Sequence, residues 1–310
     1  MIKINRLKYL SFLIISIFFL HNNVVVSKNL QSKKIGVLLV NHGSHSATWR
    51  NALLDLENRV KPEILKNKSI AKVTTSFMEY TEPSIATRLK EFDKEGFTDV
   101  IIIPIFLTVS SHSFDDIPTI IGRKTDKHSL ELLKIEKIER YTPSAEIHIT
   151  PLLDFTDILQ KNIVSRVKNL SRNSQNEGLV LIAYGDKTYN KEWSALLEKV
   201  GATVEKQIGI NKYSYGWCGH VAHYNPDSTA TAINKVLNYK NKAIVIPVLV
   251  AHDEMFQIQI IGDGIKKIKE SDKKVIYKPD AILPDKNIQN WVIDISNEFA
   301  DEIESRMASK

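Results

Sequence analysis

The chain has 310 residues, 43% hydrophobic and 25% charged, a composition typical of one large or two ordinary globular domains. Lys3, Arg6 and Lys8 supply half of the net charge of +6, which leaves +3 for residues 28–310. This small balance, without a basic block interleaved with aromatic residues, argues against a nucleic-acid partner. The single cysteine, Cys218, excludes an intrachain disulfide and any cysteine-based zinc or iron–sulfur site, so metal chemistry would depend on histidine and carboxylate ligands.

Residues 1–27 have the pattern of an export signal. A basic start is followed by an apolar run over Tyr9–Leu20 and by small residues near Val26–Ser27. The run has about 12 residues, against roughly 20 for a helix that spans a bilayer. We therefore expect export, most simply to a periplasm, with cleavage near Ser27. The alternative is an uncleaved segment that anchors the protein to a membrane, which is the only membrane contact we expect.

Short apolar runs alternate with segments of helical spacing along the first half of the chain. Such alternation predicts βαβ units and a parallel sheet buried on both faces. The predicted strands are 34–40, 72–78 and 99–107, and the predicted helices are 49–65 and 83–92, the second beginning at Pro83.

The same order of elements recurs after about residue 150. The predicted elements are strands 178–183 and 243–250 and helices 155–170, 192–200 and 226–236. The landmarks keep nearly equal spacing: Gly43 to Pro83 is 40 residues, Gly185 to Pro226 is 41, and Pro83–Pro104 and Pro226–Pro247 are both 21. We therefore predict an internal duplication, with an N-terminal α/β lobe over 34–145 and a C-terminal lobe over 150–305.

Three possible metal ligands follow three strands of the first lobe. His42 ends the first strand, Glu79 ends the second, and His112 lies in the loop after the third. Ligands of open parallel sheets bind beyond the carboxyl ends of the strands, so these side chains are expected at one edge. Two imidazoles and a carboxylate suit Co²⁺, Fe²⁺ or Ni²⁺, and an imidazole also accepts a proton near neutral pH.

Three motifs carry a resemblance to a known family. They are Leu38–Ser44 (LLVNHGS), Phe77–Ile85 (FMEYTEPSI) and Pro104–Pro118 (PIFLTVSSHSFDDIP). Together, and in this order, they resemble the class II tetrapyrrole chelatases, most closely the CbiX-type sirohydrochlorin cobaltochelatases and ferrochelatases. The resemblance is good over residues 34–125, and residues 178–265 resemble the family only as a diverged second copy.

The resemblance implies two similar flavodoxin-like, chelatase-like parallel-sheet lobes with the active site in a cleft between them. It implies a lyase that inserts a divalent metal, cobalt or else iron or nickel, into sirohydrochlorin or a related tetrapyrrole, as in cobalamin or siroheme biosynthesis. No cofactor beyond the substrate metal is expected. By the same match, His42 and His112 bind metal and accept pyrrole protons, and Glu79 assists. Ser110 departs from the glycine usual two residues before the second histidine, and export is unusual for a pathway that is mostly cytoplasmic.

The second repeat has lost the matching ligands. By the spacings above, His42 corresponds to Tyr184, Glu79 to Ala222 and His112 to Met255. The second lobe is therefore not expected to repeat the site. Its histidines His220 and His252 lie near its own strand ends and are additional candidates for metal binding.

Other polar and aromatic residues near the motifs have simpler interpretations. Asp116 is predicted to cap the helix that follows it. Tyr215 and Trp217 are predicted to pack in the core, with lining of the cleft as the alternative. Arg50 and Arg123 are candidates for holding substrate carboxylates because they lie near the motifs.

A non-catalytic carrier is the competing interpretation. Two α/β lobes behind an export signal also describe solute-binding proteins, which close by hinge motion and could carry a metal or a tetrapyrrole. The grouping of His42, Glu79 and His112 favours the enzyme. We find no Walker A pattern and no Gly-x-Gly-x-x-Gly after a strand, so no nucleotide is expected.

Overall fold

The computed structural model describes residues 33–308, so the predicted export signal over residues 1–27 lies outside the described residues. The described residues gather into one unit by their contacts. Among the described residues, no helix is both long enough and apolar enough to cross a membrane.

The first half of the unit is a four-stranded parallel sheet in the order β2-β1-β3-β4. Its strands are β1 (Ile35–Asn41), β2 (Ile70–Phe77), β3 (Asp99–Pro104) and β4 (Glu146–Ile149). Its helices are α1 (Ala47–Ile64), α2 (Ile85–Lys94), α3 (Ile117–Ile120) and α4 (Lys127–Ile135), with a π-helical segment at Ser111–Asp116.

The second half repeats this arrangement, with a parallel sheet in the order β6-β5-β7-β8. Its strands are β5 (Glu177–Ala183), β6 (Tyr213–Trp217), β7 (Lys242–Val248) and β8 (Val275–Tyr277). Its helices are α5 (Ile158–Leu170), α6 (Asn190–Ile208), α7 (Asp227–Leu237), α8 (Gly262–Lys266), α9 (Ser271–Lys274) and α10 (Lys286–Ala308). A 3-10 turn at His220–Ala222 and a π-helical segment at Met255–Ile261 complete it. The predicted pair of similar parallel-sheet α/β lobes is confirmed.

The central position of strand β1 in its sheet explains why its sequence is a continuous apolar run. All seven of its residues are buried, because helices cover both faces of the sheet. Ile35, Val37 and Leu39 enter one core, and Leu38 and Val40 enter the core on the opposite face. The first of these cores continues into the second lobe, so one apolar cluster joins both sheets.

Helix α10 crosses from the end of the second lobe to the first lobe, where it packs against α1. Asn67 Nδ2 donates a hydrogen bond of 3.3 Å to Asn297 Oδ1, and the Ser69 hydroxyl donates to the Glu304 carboxylate. Helix α5, the first helix after β4, packs on the second lobe, where Arg166 Nη1 donates to the Pro247 carbonyl at 2.8 Å. The predicted N-terminal lobe, 34–145, ends before β4, which belongs to the first sheet, and the predicted C-terminal lobe, 150–305, includes α10, which packs on the first lobe.

Three expectations about local structure need correction. Pro83 does not begin α2; it precedes the N-cap Ser84, whose hydroxyl accepts from Thr87 N. The helix predicted over 155–170 begins at Ile158, after a 3-10 turn at Leu153–Phe155. The edge strands β4, β6 and β8 are not predicted, because they are short and partly exposed and so lack a continuous apolar run.

Candidate metal centre

The ends of β1 and β2 are locked together by their backbones. The His42 carbonyl accepts hydrogen bonds from Glu79 N at 2.8 Å and from Met78 N at 3.1 Å. Gly43 has φ of 104°, and a Cβ atom there would lie 2.1 Å from the Glu79 carbonyl oxygen. Glycine is required at this position by both conformation and space, so the loops that carry His42 and Glu79 form one unit.

The loop after β3 presents His112 from the π-helical segment. Ser110 caps this segment by accepting from Ser113 N, and the Ser113 hydroxyl accepts from Ser110 N in return. The i,i+4 spacing places Asp116 against the imidazole, where Asp116 Oδ2 accepts from His112 Nδ1 at 2.8 Å. π-helical turns recur at functional sites, and this one orients the ring.

The two imidazoles meet at their Nε2 atoms, which lie 3.2 Å apart. Both Nδ1 atoms face oxygen acceptors, at 3.0 Å to the Gly43 carbonyl for His42 and at Asp116 for His112. With the Nδ1 atoms donating, both Nε2 lone pairs point at the same space, which suits a cation between them. Metal–nitrogen bonds of about 2.0–2.1 Å place two imidazole nitrogens on one ion about 3 Å apart.

Glu79 supplies the third ligand atom of this group. Its side chain is only 6% exposed, and Oε2 lies 3.9 Å from His42 Nε2 while Oε1 lies 3.9 Å from His112 Nδ1. One ligand atom each of His42, Glu79 and His112 lies within 4.8 Å of the others. The three predicted site residues are thus brought together, in the arrangement that a divalent first-row metal needs.

The two histidines have opposite electrostatic environments. Burial, with the nearby charge of His112, lowers the pKa of His42 to about 3, so His42 is neutral and its lone pair is free. Burial alone would also lower the pKa of His112, but the hydrogen bond to Asp116 and the charges of Glu79 and Asp116 outweigh it and raise that pKa. His112 is therefore the better proton acceptor of the pair.

Two acidic residues near the ligands differ from the sequence-based expectation. Asp116 makes no side-chain cap to the following helix, which corrects the prediction; its carboxylate instead holds His112. Glu136, at the end of α4, was missed, and burial together with the charge of Glu79 raises its pKa to about 7. The spacing of His112 and Asp116 could have revealed the first contact, but no local signal relates Glu136 to Glu79.

The second lobe faces the metal group with aromatic rings. Tyr184, the residue matched to His42, has its ring centroid 6.4 Å from that of His42. Tyr184 also contacts His220 and Phe256, each at 5.5 Å between centroids, and its hydroxyl lies 3.2 Å from that of Tyr224. These rings form a wall, defined here as Tyr184, Tyr224 and Phe256, opposite the imidazoles.

The two histidines of the second lobe lie outside the ligand group. His220 shares a hydrogen bond of 2.9 Å between its Nδ1 and the Tyr224 hydroxyl. His252 Nε2 lies 4.0 Å from Glu254 Oε1. Neither belongs to the group formed by His42, Glu79 and His112.

The two arginines predicted to hold substrate carboxylates donate hydrogen bonds to backbone carbonyls instead. Arg50 Nη1 donates to the Ser44 carbonyl at 2.7 Å, and Arg123 donates to the Ile147 carbonyl. Tyr215 and Trp217 lie on the edge strand β6 and contact each other at 5.5 Å between ring centroids, partly buried against the shared core.

Another group of possible ligands lies at the amino ends of β3 and β4. It consists of Asp99, Glu146 and His148, with His148 Nε2 3.0 Å from Asp99 Oδ1. Lys33 Nζ lies 2.8 Å from Asp99 Oδ2 and balances its charge. The buried carboxylate of Asp99 is therefore paired with Lys33 and His148, and Glu146 is exposed, at the end of the sheet opposite the candidate metal centre.

Comparison with known proteins gives a consistent result. Residues 36–170 match the model of the CbiX family. The chain is 32% identical over 90 residues to a sirohydrochlorin cobaltochelatase of Methanococcoides burtonii, which covers 29% of this chain and 66% of that protein. It is 25% identical over 152 residues to a sirohydrochlorin ferrochelatase of Bacillus subtilis, covering 49% of this chain and 51% of that one. The chain thus spans just under two thirds and about half of these curated relatives.

A solved structure has the same fold over most of its length. It is the sirohydrochlorin chelatase SirB from Bacillus subtilis subspecies spizizenii in complex with cobalt, with a TM-score of 0.62 and 17% identity. The match covers 88% of this chain and 98% of that one. A CbiX structure, described as the terminal enzyme of siroheme biosynthesis in denitrifying bacteria, matches with a TM-score of 0.54 and 13% identity.

Proposed function

We propose that this chain, whose residues 36–170 match the CbiX family model, inserts a divalent metal ion into sirohydrochlorin or a related tetrapyrrole. The observation that carries the proposal is the 3.2 Å separation of the His42 and His112 Nε2 atoms, with Glu79 beside them. Cobalt and iron are the metals favoured by the names of the relatives, and nickel shares their ligand preferences.

The proposed reaction balances one metal ion against two protons. His42 and His112 hold the ion through Nε2, with Glu79 as a third ligand. As the ion forms bonds to the four ring nitrogens of the macrocycle, its bonds to both Nε2 atoms break and two pyrrole N–H protons leave. The freed Nε2 lone pair of His112 accepts one proton, since Asp116 stabilises the imidazolium. Glu79 and water are acceptors for the other.

The macrocycle is proposed to dock against the aromatic wall of the second lobe, beside the imidazoles. A tetrapyrrole has a broad planar π-system, and aromatic side chains contact such surfaces by stacking or by edge-to-face geometry. Tyr184, Tyr224 and Phe256 supply such rings, and Tyr184 faces the His42 imidazole. In this proposal the first lobe supplies the metal and the second lobe supplies the docking surface.

The test mixes the purified full chain with sirohydrochlorin and Co²⁺ or Fe²⁺ under anaerobic conditions and follows the visible spectrum. We expect metal insertion faster than in a protein-free control. The double variant His42→Ala, His112→Ala should fall to the protein-free rate, and His128→Ala, an exposed histidine on α4, should keep the wild-type rate. Binding of metal and macrocycle without acceleration would contradict the proposal and indicate the carrier instead.

We also propose that the protein is exported, with residues 1–27 as the signal. The support is compositional: three cations and no acid precede and flank a short apolar run. Cell fractionation with N-terminal sequencing of the mature protein tests this. A mature protein that begins near residue 28 in the periplasm is expected, whereas an intact N-terminus in the membrane fraction indicates the anchored form.

A further inference from the structure

We propose that Asp186 and Asp253 of the second lobe are positioning residues for the metal centre. Each carboxylate holds one of the two histidine-bearing loops of the first lobe. The inference rests on the proposed function, because it concerns the same site, and it explains why a lobe without metal ligands still contacts both loops.

Asp253 holds the loop that carries His42. Its Oδ2 atom accepts from the Ser44 hydroxyl at 2.5 Å, and Ser44 lies two residues after His42. Its Oδ1 atom accepts from Met255 N at 3.0 Å, within its own turn. Asp253 is 8% exposed and Ser44 is 9% exposed, so this charge-assisted hydrogen bond is shielded from water.

Asp186 holds the loop that carries His112. Its Oδ2 atom accepts from Ser111 N at 2.8 Å, directly before His112. Its Oδ1 atom accepts from Thr188 N at 2.8 Å and from Tyr189 N at 3.0 Å, within its own turn. In both aspartates, therefore, Oδ1 accepts hydrogen bonds from the aspartate's own turn in the second lobe, and Oδ2 accepts a hydrogen bond from the first lobe.

The internal duplication relates the two contacts. By the landmark spacings, Ser44 of the first lobe corresponds to Asp186, and Ser110 corresponds to Asp253. The turn after the first strand of each lobe thus contacts the loop after the third strand of the other. At both matched positions the first lobe has serine and the second has aspartate, so the lobe that lacks ligands supplies the charged acceptors.

These contacts act on the quantity that matters for metal binding, the separation of the two Nε2 atoms. A metal constellation must hold its ligands within about 0.5 Å of the productive geometry. Glu254 adds to the first contact by accepting from the Ser46 and Thr48 hydroxyls at 2.7 and 2.8 Å. The positions of His42 and His112 are thus set partly from the opposite lobe.

The experiment measures Co²⁺ binding without tetrapyrrole, by titration and by the visible absorption of the bound ion, in Asp186→Asn and Asp253→Asn. Partners of this kind typically change metal affinity 10- to 100-fold, so we expect the Kd for Co²⁺ to rise at least tenfold with an altered spectrum. Asp272→Asn, an exposed acid on α9, is the matched control and should bind as wild type. Ser44→Ala is a milder variant that removes the donor of the hydrogen bond whose acceptor loses its charge in Asp253→Asn. The two changes together should therefore weaken binding little more than Ser44→Ala alone.

The outcomes separate the claims. An aspartate variant can unfold at a lower urea concentration and still, while folded, bind Co²⁺ with the wild-type Kd. That result indicates a structural role and overturns the inference. An unchanged Kd in both aspartate variants and in Ser44→Ala also overturns it. Wild-type protein that binds Co²⁺ but inserts no metal overturns the proposed function alone, and the variant affinities still decide the positioning role. Wild-type protein that binds no Co²⁺ overturns both.

Discussion

Tyr184 and His42 occupy matching positions in the two lobes, and their rings face each other with 6.4 Å between centroids. One copy of the duplicated strand end therefore presents a candidate metal ligand, and the other presents an aromatic ring to it. The first lobe thus contributes the imidazole of His42 to the candidate site, and the second lobe contributes the ring of Tyr184.

Substitutions of Tyr184 distinguish stacking from hydrogen bonding. Tyr184→Phe keeps the ring and removes only the contact of the hydroxyl with Tyr224, so KM for the tetrapyrrole should stay near wild type. Tyr184→Ala removes an aromatic contact of about 1 kcal/mol, which should raise KM roughly fivefold. Steady-state kinetics at saturating Co²⁺ provide the measurement. Equal effects of the two substitutions would argue against stacking.

Asp116 is expected to control His112. Asp116→Asn keeps an acceptor for Nδ1 but removes the charge that helps raise the pKa of His112. Loss of such a partner lowers metal affinity about 10- to 100-fold. Co²⁺ titration at pH 7 checks this, with Asp263→Asn as the control, since Asp263 lies on α8 and pairs with Lys266. Unchanged affinity in Asp116→Asn would show that the ring is oriented by packing alone.

Alanine substitutions at Gly43 and Gly96 test whether the close contact between the His42 and Glu79 loops matters for metal binding. Both have positive φ, 104° and 73°, so alanine costs about 1 kcal/mol at either position. At Gly96 the added methyl group meets nothing within 4 Å, whereas at Gly43 it meets the Glu79 backbone. Gly43→Ala should therefore also displace His42 and Glu79 and weaken Co²⁺ binding, and Gly96→Ala should lower only the free energy of unfolding. Equal Co²⁺ affinities in the two variants would contradict this.

Acid stability should depend on Asp99. Burial alone would raise its pKa, but hydrogen bonds from Lys33, Thr98 and His148 outweigh burial and lower it. The folded pKa thus lies below the unfolded value of about 3.9, so this stabilisation is complete above pH 3.9 and is lost as the pH falls through the folded value.

Urea unfolding at pH 7 and pH 3 measures this contribution. At pH 7, Asp99→Asn should lower the free energy of unfolding by about 3 kcal/mol, because it leaves Lys33 without its buried partner. Between pH 7 and pH 3, the wild type should lose more stability than the variant. Asp157→Asn, which removes an exposed pair with Lys161, should change stability by less than about 1 kcal/mol at either pH. A parallel loss in wild type and Asp99→Asn would refute the assignment.

The sequence predicted the parts of the molecule that depend on local pattern. Apolar runs predicted the central strands of both sheets, and the rule that parallel strands end at one edge brought His42, Glu79 and His112 together. The sequence did not predict contacts between residues far apart in the chain, such as Ser44 with Asp253 or Ser111 with Asp186. An aspartate that reaches across two lobes has the same local pattern as one that faces water, so only the folded chain distinguishes them.

The return of α10 to the first lobe bears on how a macrocycle would reach the proposed site. Because α10 packs on the first lobe and α5 on the second, the chain crosses the boundary twice and one apolar core spans it. Opening the lobes like a clamshell would expose that core to water, at a cost far above thermal energy. Under the proposed function, access of a flat macrocycle to the space beside His42 and Tyr184 would therefore depend on movement of side chains and loops rather than of whole lobes.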